Sequence, residues 1–325
     1  MKIVQQYVLG SADVLQVEEV AIPTIEEHEV LIKGYFTSIN FADIKARTGV
    51  KGEPTFPFTI GLDLVGEIVE SKSENFKVGQ KVMAFPKNGS YREYAIASEH
   101  LTFLLPDEID LKQVAAMPTV MILSYILLMQ IAQVKETDTI VVHSASGGVG
   151  SSLIQLAVII GVKQIIGTVG SVQKASFVEN LGANAVYTYD NFVEGVNERT
   201  NGKGADVIFD SVAGAVTTKS LHCLANYGTL VQFGNSSGQP GTFSTNDVHN
   251  SCRNVKGFSL GTTRKEDPSR LKPVVEKIIS YIEKGMLQVP IERIYSLNDI
   301  QEAHQLMESR AHQGKILIQL NGEIV

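Results

Sequence analysis

The chain has 325 residues, 44% of them apolar and 19% charged, with a formal net charge of −7. That length exceeds what one compact core accommodates and predicts two domains, while the negative balance argues against nucleic acid or an anionic membrane as partner, since both reward a basic face. No apolar run reaches the roughly 18 to 20 residues of a membrane span, the longest candidate, "LIQLAVIIGV", being interrupted by Gln155 and Gly161.

The opening stretch "MKIVQQYVLG" lacks a basic segment followed by an apolar core and a cleavage site, so a cytoplasmic location is expected. Up to about residue 115 the sequence reads as short strands and turns: "VLIKGYFTSI", "DLVGEIVES" and "GQKVMAF", punctuated by Gly, Pro and Asn. Gly66, inside a strand pattern, predicts a bulge or a barrel corner. From about residue 121 the rhythm changes. "TIVVH" is a β-branched strand, "SSLIQLAVIIG" an apolar helix closed by Gly161, "QIIGTV" a second strand and "QKASFVENLG" a helix with Gly182 beyond its end. "AVYTY", "DVIFD", "TLVQF" and "VKGFSL" continue the series as strands. This alternation predicts an α/β domain, a doubly wound parallel sheet with helices on both faces. "PSRLKPVVEKIISYIEKG" follows as a long amphipathic helix, and "KILIQL" as a strand expected to return to the first domain. The two cysteines, Cys223 and Cys252, match no metal spacing and can form no disulfide framework, so both are expected buried or idle.

Chemistry is signalled by "TIVVHSASGGVGSSLIQLA", where a glycine-rich turn joins a buried strand directly to a helix. As a dinucleotide fingerprint its three positions are Ala145, Gly147 and Gly150. Gly147 would let a pyrophosphate approach the backbone and Gly150 would let helix and strand pack closely, while Ser146, Gly148 and Val149 line the anion site at the helix N-terminus. Roughly twenty residues after this turn, an NAD-binding protein keeps an acid for the ribose 2′-hydroxyl. "GTVGSVQKA" has none. An acid would repel a 2′-phosphate, whereas here Gly170 is followed by Ser171, which can donate a hydrogen bond, and Lys174, which supplies a positive charge, the chemistry of a 2′-phosphate site. NADPH is therefore the expected cofactor.

On "SINFADIKARTG", "GLDLVGEIVE", the glycine turn, "GTVGSVQKA", "FDSVAG", "FGNSSG" and "ESRAHQGKILI", the chain resembles the zinc-independent quinone oxidoreductases, the zeta-crystallin-like branch of the medium-chain dehydrogenase/reductase superfamily. The resemblance implies a GroES-like β-rich barrel domain from residues 1–120, completed by 262–325, with a Rossmann NADPH-binding domain, 121–261, inserted between them and the cofactor in the cleft. It implies that Asn40, where zinc-dependent relatives keep a cysteine, contacts the nicotinamide half together with Asp43, and that Leu62 replaces a histidine ligand, so that no metal is held. It further implies that Tyr189 packs beside the 2′-phosphate, that Val212, Phe233, Gly234, Ser236, Phe258 and Leu260 line the cofactor, and that Arg310 and Lys315 approach the nicotinamide. A homodimer through the edge strand near "VKGFSL" is implied as well. Lys45 and Lys51 stand where better-known members carry tyrosines beside the acceptor, and are candidate substrate-site residues. His143, inside "IVVHS", reads as a core histidine. An acceptor needing no strong Lewis acid, a quinone, is the expected substrate; a 2-alkenal or enone reductase, or a non-catalytic NADPH-binding protein, are the alternatives.

Overall fold

Continuous apolar runs bounded by turn residues form the strands. The computed structural model describes residues 1–50, 52 and 54–322. They fall into two units, Met1–Thr119 with Thr263–Val325, and Val120–Thr262.

The second unit is a six-stranded sheet ordered Ala185–Thr188, Gln164–Val169, Thr139–Val142, Ala205–Asp210, Leu224–Gln232 and Asn254–Gly257. Every pairing is parallel, with Ile140 facing Ile165 on one side and Val207 on the other. Such a sheet requires crossover helices, and Gly148–Ile159, Phe192–Arg199 and Ala215–Leu221 supply three of them. Covered faces explain the unbroken apolar strands: Ile140, Val141, Val142, Ile166, Ile208 and Leu230 are all fully buried. The strand order places the first βα turn beside the point where chain direction across the sheet reverses, the position at which such folds bind dinucleotides. "VKGFSL" differs from expectation: strand pairing stops at Gly257, and Leu260 opens the helix Leu260–Glu266.

The first unit contains a sheet ordered Ile291–Ser296, Lys315–Gln319, Glu29–Ser38, Leu64–Ser71, Lys81–Ala84 and Thr102–Leu104, with Tyr94–Ser98 paired to Glu29–Ser38. The late strand Lys315–Gln319 does return to this unit, pairing antiparallel with Glu29–Ser38. Gly66 sits where the register slips between Gly34 and Phe36, and a Cβ there would lie 2.2 Å from the Lys33 carbonyl, so only glycine lets the two strands cross this closely. The helix Leu271–Glu283 buries Leu271, Val274, Val275, Ile278 and Ile279, the i, i+3, i+4 spacing of one face. Each such side chain contributes about 1.5–3 kcal/mol, so a charge at Ile278 would detach the helix. Among the described residues no helix is long and apolar enough to cross a membrane.

Candidate functional site

In the second unit the strand Thr139–Val142 runs out at His143, and the backbone turns through Ser144 with φ +52°. The helix begins at Gly148 after the N-cap Gly147, and its first backbone bond is Ser151 N–H to the Gly147 carbonyl. The N–H groups of Gly148, Val149 and Gly150 precede that bond and so form the positive end of the helix dipole. A Cβ at Gly150 would lie 2.3 Å from the Ser144 carbonyl, so this residue lets the helix pack on the turn. Ser146 is buried in the turn, while Gly147, Gly148 and Val149 are half-buried. The turn could hold an anion such as a pyrophosphate.

His143 is wholly buried, with Nδ1 2.8 Å from Thr168 Oγ1 and Nε2 2.8 Å from Ser220 Oγ. Ser220 donates its own proton to the Val216 carbonyl, so Nε2 carries the imidazole hydrogen. Burial pushes its pKa down to about 4, against the pull of Asp210. This is a core histidine. Of the cysteines, Cys223 is buried and its thiol is pushed up to about 12 by burial; Cys252, expected buried or idle, is exposed.

The strand Gln164–Val169 ends at Gly170, which is exposed and has nothing within 4 Å of where a Cβ would stand. Ser171 is half-buried, its hydroxyl 2.8 Å from Gln173 Oε1, and Lys174 closes the short turn Val172–Lys174. Tyr189 lies against the glycine turn: its hydroxyl accepts the Ser144 N–H at 2.9 Å and lies 3.2 Å from Ser144 Oγ. Lys219 donates to the Tyr189 carbonyl at 3.4 Å, a cation at this end of the sheet for which the sequence carried no signal.

Val212, Phe233, Gly234, Ser236, Phe258 and Leu260 follow the carboxyl ends of the last three strands. Their loops are laced by backbone bonds: Phe233 N–H to the Asp210 carbonyl, Ser236 N–H to that of Ser211, and Phe258 N–H to that of Gln232. Asp210 organises the first loop, its carboxylate accepting the Val212 and Ala213 N–H groups and the Thr217 hydroxyl.

In the first unit a buried polar network surrounds Asn40, which precedes the helix Phe41–Arg47. Lys315 Nζ donates to Asn40 Oδ1 at 2.7 Å and to the Ile39 carbonyl at 2.9 Å. Asn40 Nδ2 donates to Asp63 Oδ2 at 3.2 Å, and Asp63 also accepts the hydroxyls of Ser38 and Thr119. The amide is therefore fixed from both ends. Asp43 closes the helix start: its Oδ2 accepts the Asn40 N–H at 2.7 Å and the Tyr91 hydroxyl at 3.2 Å. Burial raises the Asp43 carboxyl to about 7 and lowers Lys315 from its usual range, with nearby Asp63 adding to the first and opposing the second.

Sequence reasoning named Asn40, Asp43 and Lys315 as cofactor contacts. The structure brings them together, but Asp43 and Lys315 are only 1% and 2% exposed, and their polar groups serve Asn40. Asp63, Tyr91, Thr119 and Arg264 were missed. Arg264 donates to the Leu62 carbonyl at 3.4 Å and lies 4.7 Å from the Phe85 ring centroid. Lys45 and Arg310, far apart in sequence, flank one ring, lying 5.7 Å and 5.9 Å from the Phe41 centroid. Lys51 lies outside the described residues.

The residues do not fit a zinc ion. Among the described residues no three His, Cys, Asp or Glu side chains gather where a metal could be held, and the Asn40 amide, already bonded to Asp63 and Lys315, is no zinc ligand.

Family models describe the two parts of the chain separately. The "Alcohol dehydrogenase GroES-like domain" matches residues 26–107 and the "Zinc-binding dehydrogenase" domain matches residues 148–280. A quinone oxidoreductase of Salmonella typhimurium is 33% identical over 95% of this chain and 96% of its own. The Escherichia coli quinone oxidoreductase, solved in complex with NADPH, superposes with a TM-score of 0.92 at 30% identity, covering 98% of this chain and all of the other. A mycobacterial protein solved with NADPH superposes with a TM-score of 0.91 at 27% identity, over 98% and 99% of the two chains. With a parallel nucleotide-binding sheet, a GroES-like unit and relatives of this identity along nearly its whole length, the chain belongs to the quinone oxidoreductase branch of the medium-chain dehydrogenase/reductase family.

Proposed function

We propose that this oxidoreductase uses NADPH to reduce quinones, and does so without zinc. The observation that carries the reading is the turn after Gln164–Val169. Where an NAD-binding site needs a carboxylate, Gly170 leaves open space, and Ser171 and Lys174 follow with a hydroxyl and a cation. The solved NADPH complexes of similar chains support it.

On this reading Gly147, Gly148 and Val149, with Ser146, hold the pyrophosphate through backbone N–H groups and the helix dipole. Gly170, Ser171 and Lys174 take the 2′-phosphate, with Tyr189 alongside. Val212, Phe233, Gly234, Ser236, Phe258 and Leu260 line the remainder. Asn40, fixed by Lys315 and Asp63, orients the nicotinamide, and Arg310 stands near that end. Bound NADPH supplies a hydride equivalent. What the chain adds is positioning, from residues whose rotamers are already locked by hydrogen bonds. A quinone suits a donor set whose chemistry does not fit zinc, because a quinone is reduced to its hydroquinone without a Lewis acid on its carbonyls. Lys45, beside Phe41, faces the approach of the acceptor; Lys51 shares that assignment. The protein works in the cytoplasm as a homodimer built through Asn254–Gly257, the outermost strand of its sheet, next to exposed Tyr227.

NADPH oxidation measured with a panel of quinones and enals tests the reading. Quinone turnover well above that with enals is expected. Turnover confined to enals would make this an enone reductase, and tight NADPH binding without turnover of any acceptor would sink the enzymatic reading.

A further inference from the structure

The buried network does not stop at Asp43. Tyr91, whose hydroxyl meets Asp43 Oδ2, also lies 3.1 Å from His304 Nε2, and His304 Nδ1 lies 3.0 Å from Arg47 Nη1. Arg47 in turn pairs with Glu308 and donates from Nε to the Gly10 carbonyl at 3.1 Å. Arg47, His304 and Tyr91 are all fully buried, and Asp43 is 1% exposed. Four polar side chains from three separate stretches of sequence thus run in one line through the hydrophobic core of the first unit, among Val4, Ile39, Ile44, Ile300 and Ile316.

The chemistry of one end sets the direction of the whole line. A guanidinium has only donors. His304 Nδ1 must therefore accept from Arg47, so its single hydrogen sits on Nε2 and points at Tyr91. Tyr91 oxygen accepts that bond, leaving its own proton to be given to Asp43. A second ring proton, which would charge His304, is opposed by burial and by Arg47, which push its pKa down to about 3. Because Arg47 cannot release a proton, the line is closed at its outer end and conducts nothing from solvent. Its capacity is orientation.

We propose that Arg47, His304 and Tyr91 are positioning residues, a one-way hydrogen-bond relay that fixes the Asp43 carboxylate and through it the Asn40 backbone at the start of the helix. Asn40 is held on three sides: by the relay at its backbone N–H, by Lys315 at its side-chain Oδ1 and by Asp63 at its side-chain Nδ2. The proposal rests on the assignment of Asn40 to the nicotinamide end. The groups that act electrostatically on Asp43 are Tyr91 on the relay side, and Asp63, Lys315 and Arg264 on the others. Tyr91 and the Asn40 N–H are the neutral donors to Asp43, and a donor to a carboxylate favours its ionised form.

The experiment compares wild type with Tyr91→Phe, which deletes one oxygen and keeps the ring, and with His304→Gln, which keeps one donor and one acceptor. Carbon-13 NMR of aspartate-labelled protein without cofactor follows the Asp43 carboxyl, assigned by its absence in Asp43→Asn. Loss of one donor to a carboxylate should raise the Asp43 midpoint by about one pH unit in Tyr91→Phe, with a smaller rise in His304→Gln. The acid limb of kcat against pH should move upward with it, while the KM for NADPH stays within about twofold. An unmoved Asp43 midpoint in a folded Tyr91→Phe protein overturns the relay. A moved midpoint with an unmoved rate profile overturns its positioning role. If Tyr91→Phe does not fold, His304→Gln decides on the same two readouts. Asn40→Ala separates the two layers: wild-type turnover there removes the assignment of Asn40 to the nicotinamide, whereas impaired turnover with an unmoved Tyr91→Phe midpoint removes the relay alone.

Discussion

Lys174→Ala should weaken NADPH binding about tenfold and leave NADH binding nearly unchanged. A charge-assisted hydrogen bond is worth roughly 1.5 to 3 kcal/mol, and each 1.4 kcal/mol is a factor of about ten. Lys174 is half-buried at the end of a short surface turn, so solvent screening places its contribution near the lower bound. Gly170→Asp should act more strongly, because it does two things at once. It sets a negative charge against the 2′-phosphate and offers a ribose acceptor to NADH. The new side chain costs little to accommodate, since a Cβ at Gly170 meets nothing within 4 Å and the backbone there is not left-handed. Dissociation constants for both cofactors, measured by titration calorimetry on wild type and both variants at one ionic strength, provide the test, because exposed phosphate pairing is screened by salt. Wild type binding NADH as tightly as NADPH, or Lys174→Ala weakening both cofactors equally, would refute a 2′-phosphate site at this turn.

Elemental analysis after dialysis against a chelator should find no stoichiometric zinc and full retained activity; one zinc per chain lost together with activity would contradict the donor set around Asn40 and Leu62. Lys45→Met should change the acceptor KM severalfold with NADPH affinity unaltered, and kinetics identical to wild type with every quinone tried would return Lys45 to the role of a surface lysine. His143 and His304 have folded pKa values lowered to about 4 and about 3, so between the ordinary value near 6.5 and those values the unfolded chain binds more protons than the folded one. Asp43, raised to about 7, acts in the opposite sense over the same range, so the two histidines outweigh it by about one group. Stability should therefore fall as pH drops below about 6.5, by up to about 1.4 kcal/mol per pH unit in net, and urea midpoints that rise from pH 7 to pH 5 would refute this.

The Rossmann half was legible because its signals are local. A β-branched strand, a glycine turn and an apolar helix are contiguous in "TIVVHSASGGVGSSLIQLA", and Gly150 is glycine for a reason confined to six neighbouring positions, the closeness of Ser144. Gly170 and Lys174 were legible in the same way. The network around Asn40 was not. Asp63, Tyr91, Thr119 and Arg264 reach one another only through strand and helix placements that no periodicity encodes, and an aspartate beside "GL" or a tyrosine after "GS" reads like any turn residue. Lys315 and Asp43 were named through family resemblance, which supplied the positions but not their burial or their bond partners. "VKGFSL" was overextended as a strand because an apolar run does not reveal where its hydrogen-bonding neighbour stops: Leu224–Gln232 pairs only as far as Gly257.

Lys315 donates to a carbonyl 276 positions earlier in the chain, and its strand lies inside its sheet, between Ile291–Ser296 and Glu29–Ser38. A chain emerging from the ribosome therefore meets its two halves in unequal order. Residues 120–262 contain every strand of the parallel sheet and can complete it while the polypeptide is still being made. The other half holds an unfinished edge on Glu29–Ser38 throughout that interval, and contacts this remote in sequence are slow to close. Chaperone dependence and aggregation during synthesis should thus originate in the GroES-like half, and the strand that ends this exposure is the one that also delivers the ammonium to Asn40.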